Sequence, residues 1–302
     1  YCTKLPDENE LYKIVEFVCS NGKNNHMRRR RIILIRLKKF SKRYNVKLLQ
    51  CNYETIEIPE KKWNYDSEII GIDIPVVAVM GIGQNVQKFD LQLYLRSRFI
   101  DKGYKVSQIG TKKISGLFGL HPLPDFLFNT QYSDVDKVYA FNRVMKDVSM
   151  QEKPDVILLG IPDSLLPLNN KHRFSFGLYA YEIFNAVQPD FVITSLMANN
   201  GYNDEFYSEI SKMAKYKYNV NIDAYFVSQF CPLSNSIWSE KLSYVYLSRM
   251  ELPKTEYKVY TTSDLNNDIL FKQAEKKVII IWKIMNSIKG ESDGKGSNRT
   301  MD

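Results

Sequence analysis

From residue 74 onward, short continuous runs of apolar residues alternate with segments whose apolar positions recur at helical spacing. The runs are Pro75–Met80, Tyr104–Ile109, Asp155–Ile161, Asp190–Leu196 and Ile222–Val227. Continuous runs of this length are typical of strands that are buried on both faces of a sheet. The segments between them predict the helices Lys88–Lys102, Val135–Val148, Phe176–Val187 and Asn203–Tyr216. The alternation predicts an α/β fold with a mainly parallel sheet and flanking helices, a P-loop-NTPase-like (Rossmannoid) core.

The pattern also divides the chain into three parts. Residues 1–70 predict an N-terminal segment of helix, basic helix and short strand. Residues 71–288 form the predicted α/β domain, which closes with a helix near Phe271–Ser287. Residues 289–302 are polar and rich in glycine and serine, which predicts a disordered tail.

A cluster of basic residues lies in the N-terminal segment and begins with Arg28, Arg29, Arg30 and Arg31. Apolar residues interleave with the charges at nearly helical spacing, which favours an amphipathic helix, although a short strand at Ile32–Ile35 stays open. Such a helix suits an acidic partner protein or peptide. Binding of nucleic acid is the least favoured interpretation of the same charges.

Composition narrows the class of protein. The 302 residues are 44% apolar and 25% charged with a net charge of +8, which is ordinary globular composition. The sequence has no apolar run of membrane-spanning length and no signal-peptide pattern, so we expect a soluble cytoplasmic protein. The cysteines and histidines are dispersed, so the sequence predicts no metal site. These residues are Cys2, Cys19, Cys51, Cys231, His26, His121 and His172.

The strongest candidate for chemistry is the glycine-containing turn between the first strand and the first helix of the α/β region. Gly81 and Gly83 follow the strand, Gln84 and Asn85 come next, and Lys88 opens the helix. Glycines let backbone N–H groups turn toward an anion, the helix N-terminus adds a positive dipole, and the lysine adds a full charge. The turn therefore predicts a site for phosphate or carboxylate, with a nucleotide or CoA as candidate ligand.

The turn departs from two standard motifs. Aligned on Lys88, a Walker A loop would have glycine at Ile82 and Gln87, and a magnesium-binding hydroxyl at Phe89. The third glycine of a dinucleotide fingerprint falls on Val86. If the protein is an enzyme, these departures favour an acyl or phosphoryl transferase over a magnesium-dependent NTPase or an oxidoreductase.

Other polar residues follow neighbouring strands. Thr111 and Lys112 come after the second strand and are expected to flank the anion. Asp163 follows the third strand, where it suits a metal-associated acid or a plain helix cap. His121 lies in a turn-rich segment that could cover the loop. Asp163 and His121 are the weak candidates for catalysis, and no Ser–His–Asp or Cys–His arrangement can be argued.

Several stretches resemble a family of peptide maturation system proteins that accompany radical SAM enzymes in clostridial-type gene clusters for ribosomal natural products. The stretches are Gly81–Asp90, Arg96–Ile100, Gly103–Lys112 and Lys153–Ile157, and the resemblance covers roughly residues 40–250. It implies association with a precursor peptide or a radical SAM enzyme, and it implies that residues 1–70 are the remnant of a longer Rossmann-like unit. A more distant resemblance is to P-loop-related proteins that include a D-glutamate N-acetyltransferase. Where the family is expected to have glycines, this chain has Asp163-Ser164.

Two hypotheses follow. In the first, an accessory protein of peptide maturation binds a phosphate-bearing ligand at the degenerate loop and acts on or presents a precursor peptide. In the second, the chain is a non-catalytic scaffold or partner subunit that binds an acidic partner through Arg28–Arg31. The sequence does not indicate an oligomeric state.

Overall fold

The computed structural model describes residues 68–248 and 250–295. Its strands are β1 (Val76–Gly81), β2 (Val106–Gly110), β3 (His121–Pro122), β4 (Val156–Gly160), β5 (Phe191–Leu196), β6 (Ala224–Val227), β7 (Phe230–Pro232), β8 (Tyr244–Tyr246) and β9 (Val259–Tyr260). Its α-helices are α1 (Lys88–Asp101), α2 (Asp134–Glu152), α3 (Leu178–Ala186), α4 (Asp204–Tyr218), α5 (Thr262–Leu265) and α6 (Ile269–Lys295). Two short 3-10 helices, Lys113–Phe118 and Asp125–Phe128, flank β3.

Within the described residues, seven strands form one parallel sheet in the order β3-β2-β4-β1-β5-β6-β9. The predicted α/β fold with a mainly parallel sheet is confirmed, and the five predicted strands lie within two residues of their predicted bounds. β7 and β8 form a separate antiparallel hairpin. The predicted basic helix containing Arg28–Arg31, and most of the predicted N-terminal segment, lie outside the described residues. Helix α6 continues past residue 289, where the sequence predicts the tail to begin.

Helices cover both faces of the sheet, which explains why β1 is apolar throughout. Val76, Ala78 and Met80 pack in one core with residues of α2, α3 and α4. Val77 and Val79 point to the opposite core, which is closed by α1 and α6. Because neither face of such a strand is exposed to solvent, apolar residues are favoured at every position, and polar and apolar residues do not alternate along it.

The direction of the chain reverses beside β1. From β1 the chain crosses to β2 through α1 and returns through α2 to β4, which pairs directly with β1. It then passes over β1 through α3 to β5, which pairs with the other edge of β1. The carboxyl ends of β1 and β4 therefore flank a topological switch point, where open α/β sheets bind ligands.

Two of the Pro-Asp pairs in the sequence, at residues 154–155 and 189–190, lie at the starts of β4 and β5. Asp155 precedes β4, and its Oδ2 accepts a hydrogen bond from the N–H of Lys105 at 2.7 Å. Asp190 precedes β5, and its Oδ2 accepts from the N–H of Val76 at 2.9 Å. Each carboxylate thus pairs a backbone donor of the neighbouring strand at the point where the ladder begins.

In the part of the chain that the structure describes, no helix is both long enough and apolar enough to cross a membrane.

Candidate functional site

The loop between β1 and α1 is packed too closely to admit side chains at its first glycine. A Cβ on Gly81 would lie 2.6 Å from Cγ2 of Val86 and 3.2 Å from the carbonyl oxygen of Ser195. The N–H of Ile82 donates to the same Ser195 carbonyl at 3.1 Å, and the Ser195 hydroxyl donates to the carbonyl of Val86. The loop is therefore held against the carboxyl end of β5. Only glycine fits at position 81, because Val86 and the backbone of Ser195 approach it too closely for a Cβ.

Gln87 occupies the place where a Walker A loop has glycine, and it keeps the backbone conformation that favours glycine. Its φ is +55° and its ψ is 25°, in the left-handed region. The side-chain Oε1 of Gln87 accepts a hydrogen bond from the N–H of Gln229 at 2.7 Å. Tyr246 donates its hydroxyl to Oε1 of Gln229 at 2.8 Å, which connects the loop to the β7–β8 hairpin.

Backbone donors of the loop and of the first turn of α1 are free to bind an anion. In the part of the chain that the structure describes, the N–H groups of residues 83 to 90 donate to no protein acceptor. The first N–H groups of any helix have no partner within the helix and carry its positive partial charge. The sequence prediction of an anion-binding turn thus coincides with a set of free donors, while its role in binding stays a prediction.

Lys88 is the first residue of α1, and its ammonium group is half-buried. Nζ donates a hydrogen bond to the backbone carbonyl of Asp163, across the switch point. Burial lowers the pKa of Lys88 to about 8, although the carboxylate of Asp163 opposes the shift. A lysine whose charge is poorly solvated gains more from an anion than an exposed lysine does.

Asp163 lies directly opposite the loop, after β4. Its φ is +57°, so the backbone again adopts the conformation that favours glycine. Oδ1 accepts from the side-chain amide of Gln84 at 2.9 Å, and Oδ2 accepts from the N–H of Ser175 at 2.8 Å. The alternative that Asp163 caps a helix is wrong, because the next helix begins at Leu178 with Gly177 at its N-cap.

Phe89, at the place of the magnesium-binding hydroxyl, belongs to the core. Its side chain is 6% exposed and meets the ring of Phe118 edge-on with 5.8 Å between ring centroids. Nζ of Lys112 lies 5.2 Å from the centroid of the Phe89 ring, a cation–π distance. This position therefore contributes apolar packing and offers no oxygen ligand to a metal ion.

A cavity of about 470 Å³ opens where these elements meet. Its lining residues are Gln84, Asn85, Lys88, Thr111, Lys112, Leu123, Phe128, Pro162, Asp163 and Tyr179. The structure thus brings together five of the predicted ligand-binding residues and Asp163. Gly81 and Gly83 are outside the lining and serve the backbone of the loop, since a Cβ on Gly83 would lie 3.1 Å from Cε of Met197.

Four lining residues are absent from the sequence prediction: Leu123, Phe128, Pro162 and Tyr179. Leu123 and Phe128 come from the segment after β3, whose many turn residues hinted that it covers the loop. Tyr179 comes from α3, where the sequence shows only an ordinary apolar helix. The rings of Phe128 and Tyr179 meet edge-on with 5.0 Å between ring centroids.

His121 is not among the residues that line the cavity. It lies on β3, and its Nε2 is 2.5 Å from Oε1 of Glu152 at the end of α2. The hydroxyl of Ser107 donates to the other carboxylate oxygen of Glu152. Burial alone would raise the pKa of Glu152, but the hydrogen bonds from Ser107 and His121 outweigh it and lower that pKa. The arrangement joins β2, β3 and α2, which is a structural contact.

Comparisons with known proteins give only distant likeness. No family model and no curated protein matches the sequence. A DUF1611 family protein from Anabaena variabilis aligns with 55% of this chain and 51% of its own length, at 15% identity and a TM-score of 0.40. A GTPase from Pyrococcus abyssi in its apo form aligns with 52% of this chain and 68% of its own length, at 13% identity and a TM-score of 0.30. Chloroplast FtsY from Physcomitrella patens aligns with 74% of this chain and 67% of its own length, at 14% identity and a TM-score of 0.32. The chain spans about half the length of the first of these, and scores this low carry no argument about function.

Proposed function

We propose that this chain binds a phosphate-bearing ligand in the cavity between β1 and β4, as an accessory protein of peptide natural-product maturation that acts on or presents a precursor peptide. The observation that carries the ligand part is the placement of Lys88. It is the first residue of a 14-residue helix, it lines the cavity, and burial has lowered its pKa to about 8.

Three sources of positive potential act on the same volume. Lys88 and Lys112 bring full charges to the cavity lining. The lining residues Gln84, Asn85 and Lys88 have free backbone N–H groups, and these and the N-terminal dipole of α1 add partial charges. Thr111 adds a hydroxyl donor. A phosphate group takes hydrogen bonds from all three kinds of donor, so it is the anion that uses the site most completely.

The magnesium-dependent chemistry of P-loop NTPases is not part of the proposal. Phe89 replaces the hydroxyl that would ligate the metal, and its ring is buried. The carboxylate of Asp163 accepts hydrogen bonds from the side-chain amide of Gln84 and the backbone N–H of Ser175. If the bound ligand reacts, positioning and charge stabilisation by Lys88 and the loop N–H groups are suited to acyl or phosphoryl transfer.

One observation favours the second hypothesis, a non-catalytic scaffold. The Lys88 ammonium donates a hydrogen bond to the carbonyl of Asp163, and the side-chain amide of Gln84 donates one to the Asp163 carboxylate. These contacts connect the two sides of the cavity and would serve a purely structural role equally well. The two hypotheses differ in whether Lys88 also binds an anion.

Thermal unfolding against a panel of anions tests the ligand part. ATP, GTP, CoA, acetyl-CoA and pyrophosphate are each added with and without Mg²⁺. A ligand at about 100 times its dissociation constant stabilises the native state by roughly 2.7 kcal/mol, which raises the melting temperature by several degrees. We expect a shift with at least one of them, without dependence on Mg²⁺, that is lost in Lys88→Met. An absence of any shift in the wild-type chain would favour the scaffold.

The link to peptide maturation rests on sequence resemblance alone and has its own experiment. The full chain is mixed with a radical SAM peptide-modifying enzyme of such a gene cluster and with its precursor peptide. We expect the chain to co-elute with the peptide or with the enzyme in size-exclusion chromatography. Separate elution of all three components would contradict this part of the proposal without bearing on anion binding.

A further inference from the structure

The residues that line the cavity fall into two chemical groups. The polar group is Gln84, Asn85, Lys88, Thr111, Lys112 and Asp163, and its two lysines, which we call the anion end, suit an anion. The largely apolar group is Leu123, Phe128, Pro162 and Tyr179, and we call it the aromatic end because the rings of Phe128 and Tyr179 are in contact. A ligand that consisted only of phosphate would leave these two rings against water.

The cavity extends from the loop toward one side of β1 only. All of its lining residues belong to α1, to α3 or to segments that follow β1, β2, β3 and β4, and none follows β5 or β6. On the β5–β6 side of the loop, Met197 packs against Gly83, and the N–H of Gln229 is bonded to Gln87. The body of a ligand whose phosphate binds at Lys88 therefore lies toward the aromatic end.

The two rings at this end are available for contact. The Phe128 side chain is 39% exposed although it lines a cavity, and it meets Tyr179 edge-on. In the described part of the chain, the Tyr179 hydroxyl has no hydrogen-bond partner. A ring placed against Phe128 would cover apolar surface, and a polar substituent on that ring could pair with the hydroxyl.

We infer, on the basis of the proposed anion site, that the ligand is a phosphate monoester whose phosphate is attached directly to an apolar, ring-sized group. The phosphate binds at Lys88 and the loop amides, and the ring packs against Phe128 and Tyr179. A volume of about 470 Å³ accommodates both parts and lies within the range of small-molecule sites. In a nucleoside triphosphate, by contrast, ribose and two further phosphates separate the base from the terminal phosphate.

Titration calorimetry with two phosphate monoesters of equal charge tests the inference. Phenyl phosphate carries an aromatic ring, and glycerol 3-phosphate carries a polar body. We expect phenyl phosphate to bind at least about tenfold more tightly, because aromatic contacts at one end of the site add to the shared phosphate contacts. Pyrophosphate is included as a probe of the anion end alone.

Variants at the aromatic end assign the difference to its cause. Phe128→Ala should abolish the tenfold preference and leave the affinity for glycerol 3-phosphate unchanged. Phe128→Leu, which keeps most of the apolar volume, serves as the second variant if truncation lowers the melting temperature. Tyr216→Ala, at an 82% exposed aromatic residue on α4, is the control and should leave both affinities unchanged.

The outcomes separate this inference from the proposal on which it rests. If both esters bind equally and both are lost in Lys88→Met, the anion site stands and the inference is overturned. A preference for phenyl phosphate that survives Phe128→Ala also overturns it. If neither ester nor pyrophosphate binds, the anion site and the inference fall together.

Discussion

The lowered pKa of Lys88 predicts that anion binding weakens as the pH rises through about 8. In the free protein, burial places this pKa at about 8 against the usual 10.5 of lysine. A bound phosphate favours the charged ammonium and raises the pKa, so above pH 8 binding takes up a proton. The affinity is therefore full well below pH 8 and declines as the pH rises through about 8, whereas a lysine of ordinary pKa would give a nearly constant affinity up to about pH 9.5.

The expected magnitude follows from the protonated fraction. With a pKa of about 8, about three quarters of Lys88 is charged at pH 7.5 and about 3% at pH 9.5. If only the charged form binds, the apparent dissociation constant rises about 25-fold between these two pH values. A phosphate monoester has its second pKa near about 6, so the charge of the ligand is constant over this interval.

Three other titratable groups line the cavity beside the ammonium. Asp163, on the segment after β4, is its nearest acid. Tyr179 on α3 has its pKa raised above 10 by burial and by the charge of Asp163, so it stays neutral. Lys112, after β2, is the one other cation in the cavity lining. Asp163→Asn removes a charge that raises the Lys88 pKa and should therefore move the decline to lower pH.

Calorimetric titration with phenyl phosphate at half-unit steps from pH 7.0 to 9.5 measures the profile. Lys88→Arg is the matched control, because a guanidinium stays charged throughout and should flatten the profile wherever binding is retained. A constant affinity in the wild-type chain would show that Lys88 does not bind the anion as an ammonium. The same decline in Lys88→Arg would assign the titration to another group and refute the argument.

Three further predictions concern the frame of the site. Gly160→Ala should lower the free energy of unfolding by about 1–3 kcal/mol, because its Cβ would lie 2.5 Å from the buried side-chain amide of Gln92. Gly71→Ala is the control for chemical denaturation and should leave the midpoint unchanged, because Gly71 has open space around it. Lys153→Gly should raise the melting temperature, because Lys153 ends α2 with a φ of +46° and relief of that strain is worth about 1 kcal/mol. His121→Ala should cost less than about 1 kcal/mol and leave phosphate affinity unchanged, because its contact with Glu152 is partly exposed and lies outside the cavity lining.

The sequence was sufficient to predict the sheet because burial on both faces leaves a simple pattern. β1 alternates its side chains between two cores, so every position is apolar and the run is easily recognised. The hairpin of β7 and β8 has only three residues in each strand and lies outside the main sheet, so it shows no comparable pattern. β3 and β9 have only two residues each, which is too short for a recognisable sequence pattern, and they are identified by their pairing with the adjacent strand.

The polar residues of the cavity lining were predictable from the sequence and the apolar ones were not. Residues such as Lys88 and Thr111 follow the carboxyl ends of adjacent strands, and a parallel sheet necessarily brings those ends together. Phe128 reaches the cavity through a short 3-10 helix after β3, and Tyr179 through the first turn of α3. Their positions depend on how those segments pack, which no local pattern in the sequence specifies.

The departures from the Walker A pattern change which residues hold the loop, while its backbone geometry is kept. Asn85, Gln87 and Asp163 all have positive φ, and each costs about 1–2 kcal/mol relative to a glycine in the same place. For Gln87 and Asp163 the side chain makes hydrogen bonds that a glycine could not make, to Gln229 in one case and to Gln84 and Ser175 in the other. These hydrogen bonds hold the loop through contacts within the protein, to the segment after β4 and to Gln229. Phe89, at the place of the magnesium-binding hydroxyl, is buried in the core, so the loop keeps its backbone geometry while this position offers no side-chain oxygen to a metal ion.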